Sequence, residues 1–443
     1  IKKFNKTIFP PGDKSISNRF FFIASQAIGI SKALGILEAE DVLNNIKIFQ
    51  KLGVKIVKNK KTNVYYVYGN GLKSLITKDN LKIWAGNAGT VARCMLGLLA
   101  PYPHKITILG DPSLSRRDFY RCIVPLEKFG CSFEPKGKTT LPLNMTGTDW
   151  LLPLDNHELT HPSAQVKTCC IFAAMLSPGI SIVKEPINLA SRDHTEILLK
   201  YVRAGLQIKK YKKFTLLKIH GLKDFKAFNL EVPGDMSAAA IFISLTLLSD
   251  KSKILIKNVN LNPFRSGLIQ VLKQMGGKII IKNKKTVCGE KKGNLIVKSS
   301  KLKSINCPAS IAAKMIDEYP LAMICAAKAK GISNFYGLEE LNRKESKRLN
   351  VCNKILNQIG VKTKLGKNKI RIWGNPSLKL NKSYTINTHR DHRIAALAFI
   401  TAQTFISKGK VTIKNMENLN SSFPSFLKLM KQLNCKYEIK KSN

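Results

Sequence analysis

The sequence has few acidic residues for its size. Its 443 residues include 28 aspartates and glutamates against 74 lysines and arginines, which gives a formal net charge of +46. An excess of this kind attracts nucleic acid, anionic membranes or acidic small molecules. The lysines are scattered in small groups rather than gathered in one stretch. Much of the excess is therefore typical of a solvated surface.

Several patterns that would place the chain in a special class are absent. No run approaches the roughly 18 consecutive apolar residues that a membrane-spanning helix needs, and we find no pattern of a secretion signal. The ten cysteines contain no Cys-x-x-Cys pair, which argues against a zinc or redox motif. We therefore expect a cytoplasmic globular protein with buried thiols, and the length predicts two or three domains.

The sequence does contain an internal repeat. An amphipathic helix pattern that ends at glycine, or at asparagine in the last copy, is followed by a strand-like run, and the combination recurs about every 75 residues. Each terminating residue supplies the left-handed conformation that closes a helix before a strand. These residues are Gly53, Gly130, Gly205, Gly276, Gly360 and Asn434.

A polar corner that opens into a more apolar helix precedes each of these helices, with a similar spacing. The corners are at Gly12, Gly86, Ser163, Gly234, Asp317 and Asp391. Helices that are apolar on most sides are buried. The pattern therefore predicts an α/β fold of two similar lobes, each with three repeats around buried helices. The predicted lobes are residues 11–232 and residues 1–10 together with 233–443.

The first corner, residues 11–19, reads Pro-Gly-Asp-Lys-Ser-Ile-Ser-Asn-Arg. Its glycine permits close approach of a ligand, and its lysine, serines and arginine stand at a helix start, where unpaired N–H groups favour anions. We interpret it as a phosphate-binding corner. A serine-capped helix with surface cations would have the same sequence pattern. The corner is not a Walker loop, because Asp13 stands where a glycine must precede the lysine.

Other corners repeat this chemistry in varied form. Residues 86–93, Gly-Asn-Ala-Gly-Thr-Val-Ala-Arg, combine two glycines with donors, and a tight turn that packs on itself would read alike. Residues 163–167, Ser-Ala-Gln-Val-Lys, offer neutral donors and a cation, or an ordinary N-cap and a surface lysine. The corner at Gly234 carries no cation, and we interpret it as structural.

The cations at these helix starts suggest a site for anionic substrates. If the buried helices point their N-termini at a cleft between the lobes, seven cations converge there: Lys14, Arg19, Arg117, Arg192, Lys344, Arg348 and Arg393. Lys344 and Arg348 are four residues apart and are predicted to share a helix face. Such a site fits substrates with several phosphate and carboxylate groups, and Asp317 and Glu345 are the candidates for proton transfer.

Two other interpretations compete with this one. His389, Asp391 and His392 suggest a metal site, but no third group of ligands accompanies them, so capping and arginine orientation are preferred and we expect no metal. The net charge suggests a nucleic-acid-binding protein, but the sequence lacks a basic stripe interleaved with aromatic residues. We therefore expect neither nucleic acid nor a membrane as partner.

Taken together, these motifs resemble the 5-enolpyruvylshikimate-3-phosphate synthase family. The resemblance runs essentially from Pro11 to Phe426, and the wording Ser-Ala-Gln-Val-Lys and Ser-Arg-Asp-His-Thr-Glu is similar to the branch called class II. It implies two lobes, each of three βαβαββ units with the helices inside, and a first strand that completes the second lobe. It also implies transfer of the enolpyruvyl group of phosphoenolpyruvate to the 5-hydroxyl of shikimate 3-phosphate, with no metal or organic cofactor.

The resemblance further implies roles for individual residues. For shikimate 3-phosphate it implies binding by Lys14, Ser15, Arg19, Ser163, Ala164, Gln165, Ser191, Arg192, Asp317 and Lys344. For phosphoenolpyruvate it implies binding by Lys14, Asn87, Gly89, Arg117, Gln165, Arg348 and Arg393. The implied catalytic residues are Asp317, which takes the hydroxyl proton, and Glu345 with Lys14, which protonate the methylene carbon. We expect a monomer.

Some positions depart from the family pattern. Asp118 follows Arg117 and Ile316 precedes Asp317 where proline is usual, and Lys347 alters the segment around Glu345. A carboxylate at Asp118 could weaken the hold of Arg117 on phosphoenolpyruvate. A related family, UDP-N-acetylglucosamine enolpyruvyl transferase, is the nearest alternative, but it carries a reactive cysteine where this chain has Pro-Ser-Leu-Ser at residues 112–115.

Overall fold

The structure is a computed structural model that describes residues 2–417, 419 and 422–440. Residues 1 and 441–443, which the predicted lobe ranges include, lie outside the described residues. The chain forms two compact units. The first unit comprises residues 12–232 and 286–290, and the second comprises residues 2–11, 233–285 and the described part of 291–440. Each unit has its own hydrophobic core.

The first strand of the chain belongs to the second unit. The three repeats of the first unit come next in the sequence. The elements up to residue 99 are β1 (Asn5–Ile8), α1 (Lys14–Ala24), β2 (Ile28–Leu34), α2 (Glu40–Lys51), β3 (Lys55–Asn59), β4 (Val64–Asn70), β5 (Leu81–Trp84) and α3 (Gly89–Leu99). The elements of the remaining repeats of this unit are β6 (Lys105–Leu109), α4 (Pro112–Ser115), α5 (Tyr120–Lys128), β7 (Ser132–Glu134), β8 (Leu143–Thr146), β9 (His157–Glu158), α6 (Ala164–Leu176), β10 (Ile180–Pro186), α7 (His194–Tyr201), β11 (Leu206–Lys210), β12 (Phe214–His220) and β13 (Asn229–Glu231). A short 3₁₀ helix, Ile187–Leu189, follows β10.

The second unit continues with the other repeats. Its elements up to residue 327 are α8 (Met236–Leu248), β14 (Lys253–Asn260), α9 (Gly267–Gln274), β15 (Lys278–Val287), β16 (Glu290–Lys298), β17 (Asn306–Cys307) and α10 (Tyr319–Ala327). Those that follow are β18 (Gly331–Tyr336), α11 (Arg348–Gln358), β19 (Thr363–Leu365), β20 (Lys369–Gly374), β21 (Tyr384–Asn387), α12 (His392–Thr404), β22 (Val411–Lys414) and α13 (Phe426–Gln432). Two 3₁₀ helices, Ala309–Lys314 and Glu339–Arg343, precede α10 and α11.

The sheets repeat one topology. In the first unit the strand orders are β13-β2-β4-β3, β5-β6-β8-β7 and β9-β10-β12-β11. In each, the first pair is parallel and the other pairs are antiparallel. The second unit has sheets of order β1-β14-β16-β15 and β17-β18-β20-β19, and the pair β21-β22. The edge strand β1 pairs in parallel with β14, far along the chain.

The first helix of each repeat is buried, as the sequence predicted. In α8, every residue from Met236 to Leu247 is buried, and α3 and α10 are nearly as fully enclosed. Burial of one large aliphatic or aromatic side chain is worth about 1.5–3 kcal/mol, so these helices are the main source of core stability. The six predicted left-handed helix ends are confirmed, from Gly53 with a φ of 85° to Asn434 with a φ of 62°.

Two stretches group differently from the predicted ranges: Pro11, predicted in the first lobe, belongs to the second unit, and a short segment at the turn between β15 and β16 belongs to the first. Residues 286–290, predicted in the second lobe, belong to the first unit. The reason is local contact: Glu290 Oε1 lies 2.6 Å from His194 Nδ1, both side chains are buried, and Gly289 lies against Ile197. None of the helices within the described ranges combines the length and apolar character needed to cross a membrane.

Close packing of α3 on α6 gives a test of the first core. A Cβ atom on Gly97 would lie 2.1 Å from the carbonyl oxygen of Cys169. Overpacking of this kind costs about 1–3 kcal/mol, although alanine gains up to about 1 kcal/mol over glycine inside a helix. We expect Gly97→Ala to lower the free energy of unfolding, measured by urea denaturation.

Gly366→Ala is the matched control, because the close neighbours of the added Cβ belong to the exposed, flexible side chain of Lys369, and the nearest backbone atom, the carbonyl oxygen of Lys369, is at an ordinary contact distance of 3.6 Å. We expect its unfolding midpoint to stay close to that of the wild type. Equal midpoints for the wild type and Gly97→Ala would contradict the close contact of the two helices.

Candidate functional site

The predicted anion corner at the start of α1 is already capped by the protein. Asp13 is the N-cap, and its Oδ1 accepts hydrogen bonds from the backbone N–H groups of Ser15 at 2.9 Å and Ile16 at 3.1 Å. Those N–H groups are therefore not open to a phosphate, and this part of the sequence reasoning is wrong. Gly12 is also explained by the chain itself, since a Cβ there would lie 1.8 Å from the carbonyl oxygen of Gly35.

The side chains that follow Asp13 differ in accessibility. Lys14 Nζ lies 3.0 Å from Asp41 Oδ2 and its side chain is 27% exposed, while Ser15 is half-buried. Arg19 is 2% exposed. It donates to Thr195 Oγ1 at 2.7 Å, to Ser15 O at 3.1 Å and to Thr168 Oγ1 at 3.2 Å. Arg19 thus ties α1 to α6 and α7, and a ligand could use only its remaining donors.

The start of α3 gathers two arginines around a glycine. A Cβ on Gly89 would lie 2.9 Å from Arg93 Nη1 and 3.1 Å from Arg117 Nη1. Arg117 Nη2 donates to Asn87 Oδ1 at 2.7 Å, and Asn87 Nδ2 donates to Asp111 Oδ2 at 2.9 Å. Burial lowers the pKa of Arg93, which still remains charged at neutral pH.

This helix start favours an anion. Unlike α1 and α6, α3 has no side-chain hydrogen bond at its N-cap, and unpaired N–H groups there attract negative charge. Asp118, which follows Arg117, is exposed, and its Oδ1 accepts a hydrogen bond from Tyr120 N at 2.8 Å.

The start of α6 joins this group through one side chain. Gln165 Oε1 accepts from Arg93 Nη1 at 2.8 Å, and Gln165 Nε2 donates to Thr90 Oγ1 at 2.9 Å. Ser163 caps α6 by accepting from Val166 N at 3.4 Å, and Ala164 is half-buried beside it. The structure therefore brings Gln165 to Thr90 and Arg93 at the start of α3.

Lys167 does not lie on the surface and does not face a ligand. It is fully buried, with Nζ 2.8 Å from Glu185 Oε1 and 2.7 Å from Glu196 Oε1. Burial opposes its charge, but the two carboxylates outweigh burial and raise the pKa of Lys167. Ser191 is 4% exposed and donates from Oγ to Glu185 at 2.7 Å, while Arg192 next to it is half-buried.

The predicted residues of the second unit meet around Arg348, which is 1% exposed. Arg348 Nη1 donates to Asp317 Oδ1 at 3.2 Å, Nη2 to Glu345 Oε2 at 2.5 Å, and Nε to Asp391 Oδ2 at 3.0 Å. Burial opposes the charge, but these three carboxylates outweigh it and raise the pKa of the guanidinium above its ordinary value. Both predicted catalytic carboxylates are thus held by one buried cation.

Lys344 joins the cluster by a different route from the one predicted. Its Nζ lies 3.9 Å from Asp317 Oδ1, the oxygen that Arg348 also contacts. The two cations do not share a helix face, because α11 begins only at Arg348 and Lys344 has an extended backbone. Of the departures from the family pattern, Lys347 is exposed and Ile316 packs against the second core.

Asp391 holds the sixth repeat to the same cluster. It is fully buried and caps α12 by accepting from Arg393 N at 2.8 Å, while Ser346 Oγ donates to it at 2.9 Å. The predicted capping and arginine orientation are therefore confirmed. Within the described residues, Arg393 Nε is buried without an acceptor. A buried donor left unpaired costs about 1–3 kcal/mol, so Arg393 is suited to receive an anionic ligand.

The sequence reasoning missed some residues of these groups. Asp41 gave no signal, because an acidic residue in the first turn of an amphipathic helix is ordinary. Arg93 was read within its motif but not assigned a ligand. Glu185 could have been found, since it occupies an inward position in the alternating strand β10, after Ser181 and Val183.

Comparison with known proteins places the chain in one family. The model of the EPSP synthase family, described as 3-phosphoshikimate 1-carboxyvinyltransferase, matches residues 1–430. A protein of Zymomonas mobilis subsp. mobilis named 3-phosphoshikimate 1-carboxyvinyltransferase is 38% identical over 432 residues, which cover 97% of this chain and 94% of that protein. A protein of the same name from Bartonella henselae is 37% identical over 424 residues, covering 96% of this chain and 94% of that protein.

Solved structures agree with the sequence matches. The EPSP synthase of Acinetobacter baumannii has a TM-score of 0.84 and 31% identity, and the match covers 98% of this chain and 96% of that one. The enolpyruvyl transferase NikO of Streptomyces tendae, at 13% identity, shares the fold with a TM-score of 0.75, over 98% of this chain and 95% of that one. The predicted fold and the predicted resemblance are confirmed, and the chain belongs to the EPSP synthase family.

Proposed function

We propose that this chain is a 3-phosphoshikimate 1-carboxyvinyltransferase, which moves the carboxyvinyl group of phosphoenolpyruvate to the 5-hydroxyl of shikimate 3-phosphate and releases phosphate. The observation that carries the proposal is the cluster in which Arg348 and Lys344 hold the carboxylates of Asp317 and Glu345. Family membership and the names of the relatives support the same activity. The matches do not favour the UDP-N-acetylglucosamine enzyme or a nucleic-acid-binding protein.

We propose that shikimate 3-phosphate is recognised mainly by neutral donors and by cations of the first unit. The half-buried Ser15, the N-cap Ser163 and the Gln165 side chain offer hydrogen bonds to phosphate and hydroxyl groups. Arg19, Ser191 and Arg192, with Lys14, supply further donors. From the second unit, Lys344 and Asp317 are proposed to contact the substrate hydroxyls. Ala164, the first residue of α6, is proposed to contact the substrate at the start of that helix.

We propose that phosphoenolpyruvate uses the cations around Gly89 and those around Asp391. The first group consists of Arg117, Asn87 and the start of α3 at Gly89, which has no side-chain cap. Gln165 and Lys14 are proposed to bind phosphoenolpyruvate together with this group. Arg393 and Arg348 form the second group. Because Arg348 already contacts three carboxylates, Arg393 with its unpaired Nε is the better placed of the two to bind a substrate oxygen.

The reaction needs two balanced proton transfers. In the addition step, Asp317 takes the proton of the 5-hydroxyl as the oxygen bonds to C2 of phosphoenolpyruvate, and Glu345 with Lys14 delivers a proton to C3. In the elimination step, C3 returns its proton to Glu345 as the bond between C2 and the phosphate oxygen breaks, and the leaving phosphate takes the proton that Asp317 accepted from the 5-hydroxyl. Arg348 Nη1 at 3.2 Å and Lys344 Nζ at 3.9 Å hold the carboxylate of Asp317 in place.

No step in this scheme uses a metal or an organic cofactor. The described part of the chain contains no group of three or more His, Cys, Asp or Glu side chains that could hold a metal ion. We further propose that the chain works as a monomer in the cytoplasm.

The activity is tested by a phosphate-release assay with purified protein, phosphoenolpyruvate and shikimate 3-phosphate. We expect phosphate release that requires both substrates, and no release when a UDP-N-acetylglucosamine acceptor replaces shikimate 3-phosphate. Release with the second acceptor alone would overturn the proposal.

Removal of the proposed general base should slow turnover. We expect Asp317→Ala to lower kcat by about 10²–10⁴-fold, the usual loss for a general base. Glu340→Ala is the control, because Glu340 is a carboxylate of the same unit that pairs at 3.7 Å with the exposed Arg343, and we expect its kcat to be unchanged. A turnover of Asp317→Ala equal to that of the wild type would remove Asp317 from the mechanism.

A methyl group on Gly89 should displace the two neighbouring guanidinium groups. We expect Gly89→Ala to raise the KM for phosphoenolpyruvate and the inhibition constant of its analogue glyphosate by about tenfold or more, equivalent to about 1.4 kcal/mol. The dissociation constant of shikimate 3-phosphate should change little. Steady-state kinetics and calorimetry measure these constants, with Gly366→Ala as control, and unaltered inhibition would show that the ligand does not approach this backbone.

A further inference from the structure

Lys167 is a buried cation for which the reaction has no direct use. It lies in the first turns of α6, its side chain is fully buried, and it is therefore out of reach of either substrate. Its Nζ contacts Glu185 Oε1 at 2.8 Å, Glu196 Oε1 at 2.7 Å and the carbonyl oxygen of Ser191 at 3.5 Å. These partners come from the end of β10, the start of α7 and the segment that joins them.

The two carboxylates differ in their other contacts. Glu185 Oε1 also accepts hydrogen bonds from Ser191 N at 3.0 Å and from Ser191 Oγ at 2.7 Å. One oxygen atom therefore joins Lys167 to both polar groups of Ser191. Glu196 contacts Lys167 through Oε1, and its Oε2 is buried without a partner among the described residues.

The same region is tied to the first helix. Thr195, next to Glu196, lies 2.6 Å from Thr168, next to Lys167, through their hydroxyl groups. Arg19 donates to both threonines. The polar interior beneath α1, α6 and α7 thus contains two groups that are neighbours along the chain, and Lys167 is the cation that balances the two buried carboxylates.

Loss of this cation would leave two buried carboxylates without a counter-charge. Such a state is strongly unfavourable, so the carboxylates would take up protons or move towards water. Movement of Glu185 would carry Ser191 with it, and Arg192 follows directly in the chain.

We propose that Lys167 is a positioning residue that, through Glu185, holds Ser191 and Arg192 in the arrangement that binds shikimate 3-phosphate. Lys167 does not touch the substrate. The inference rests on the proposed function, because shikimate 3-phosphate is the ligand whose binding it controls.

The test compares two matched substitutions, Glu185→Leu and Glu196→Leu. Each removes one buried carboxylate from Lys167, but only the first releases Ser191. We expect Glu185→Leu to raise the dissociation constant of shikimate 3-phosphate, measured by calorimetry without phosphoenolpyruvate, by about 10-fold to 100-fold, as for the loss of hydrogen bonds to a charged ligand. Glu196→Leu should bind within about threefold of the wild type.

Lys167→Met should weaken shikimate 3-phosphate binding as Glu185→Leu does. The KM for phosphoenolpyruvate at saturating shikimate 3-phosphate should stay within about twofold, because the group around Gly89 is not altered. Ser181→Ala is the control for stability alone, since it removes a buried hydrogen bond of the same strand, from Leu154 N to Ser181 Oγ at 3.0 Å. It should lower Tm without changing shikimate 3-phosphate binding.

Equal weakening by Glu185→Leu and Glu196→Leu, wild-type binding by Glu185→Leu, or wild-type binding by Lys167→Met would overturn the inference. If Lys167→Met does not fold, the neutral variant Lys167→Gln takes its place in this comparison. Failure of the proposed function looks different, because the wild type itself would then bind no shikimate 3-phosphate, and the inference would fall with it.

Discussion

The structure depends on the burial of the first helix of each repeat. A helix that is apolar on all sides can leave polar groups only at its ends, so the N-terminus must be satisfied by a cap or by a ligand. Asp13, Ser163, Asp235 and Asp391 provide side-chain caps for α1, α6, α8 and α12. The start of α3 has no such cap, and it is there that Gly89 and two arginines meet. The proposed phosphoenolpyruvate contacts thus follow from the one exception in the first unit.

Two buried cations, Lys167 and Arg348, are each paired with carboxylates of their own unit. In the first unit Lys167 is shared by two glutamates, and in the second Arg348 is shared by Asp317, Glu345 and Asp391. The sequence predicted seven converging cations and a substrate with several anionic groups to match them. In the structure, Lys14, Lys344 and Arg348 of this set lie beside carboxylates of the protein itself, so the substrate is needed for fewer of these charges than the sequence implied. Arrangements of this kind hold side chains in fixed geometry, as catalytic groups require.

The periodic features of the chain were predictable because they depend on local sequence. Left-handed residues such as Gly205 close helices through backbone geometry that glycine permits, and buried helices such as α8 show their environment in an unbroken apolar composition. The sequence predicted which residues belong to the candidate site, largely through the family resemblance. It did not predict their contacts: Lys344 and Arg348 meet at Asp317 from an extended segment and a helix start, although their spacing of four predicted a shared helix face.

The sequence by itself determined the repeat, the helix ends and the family, since each depends on neighbouring residues or on short motifs. Only the tertiary structure decided which cations are accessible. Lys167 and Lys14 both follow polar corners, yet the first is enclosed by Glu185 and Glu196 while the second stays partly exposed beside Asp41. The reason is physical: burial and charge pairing depend on residues that are distant in the chain, and no local pattern records which of them will meet.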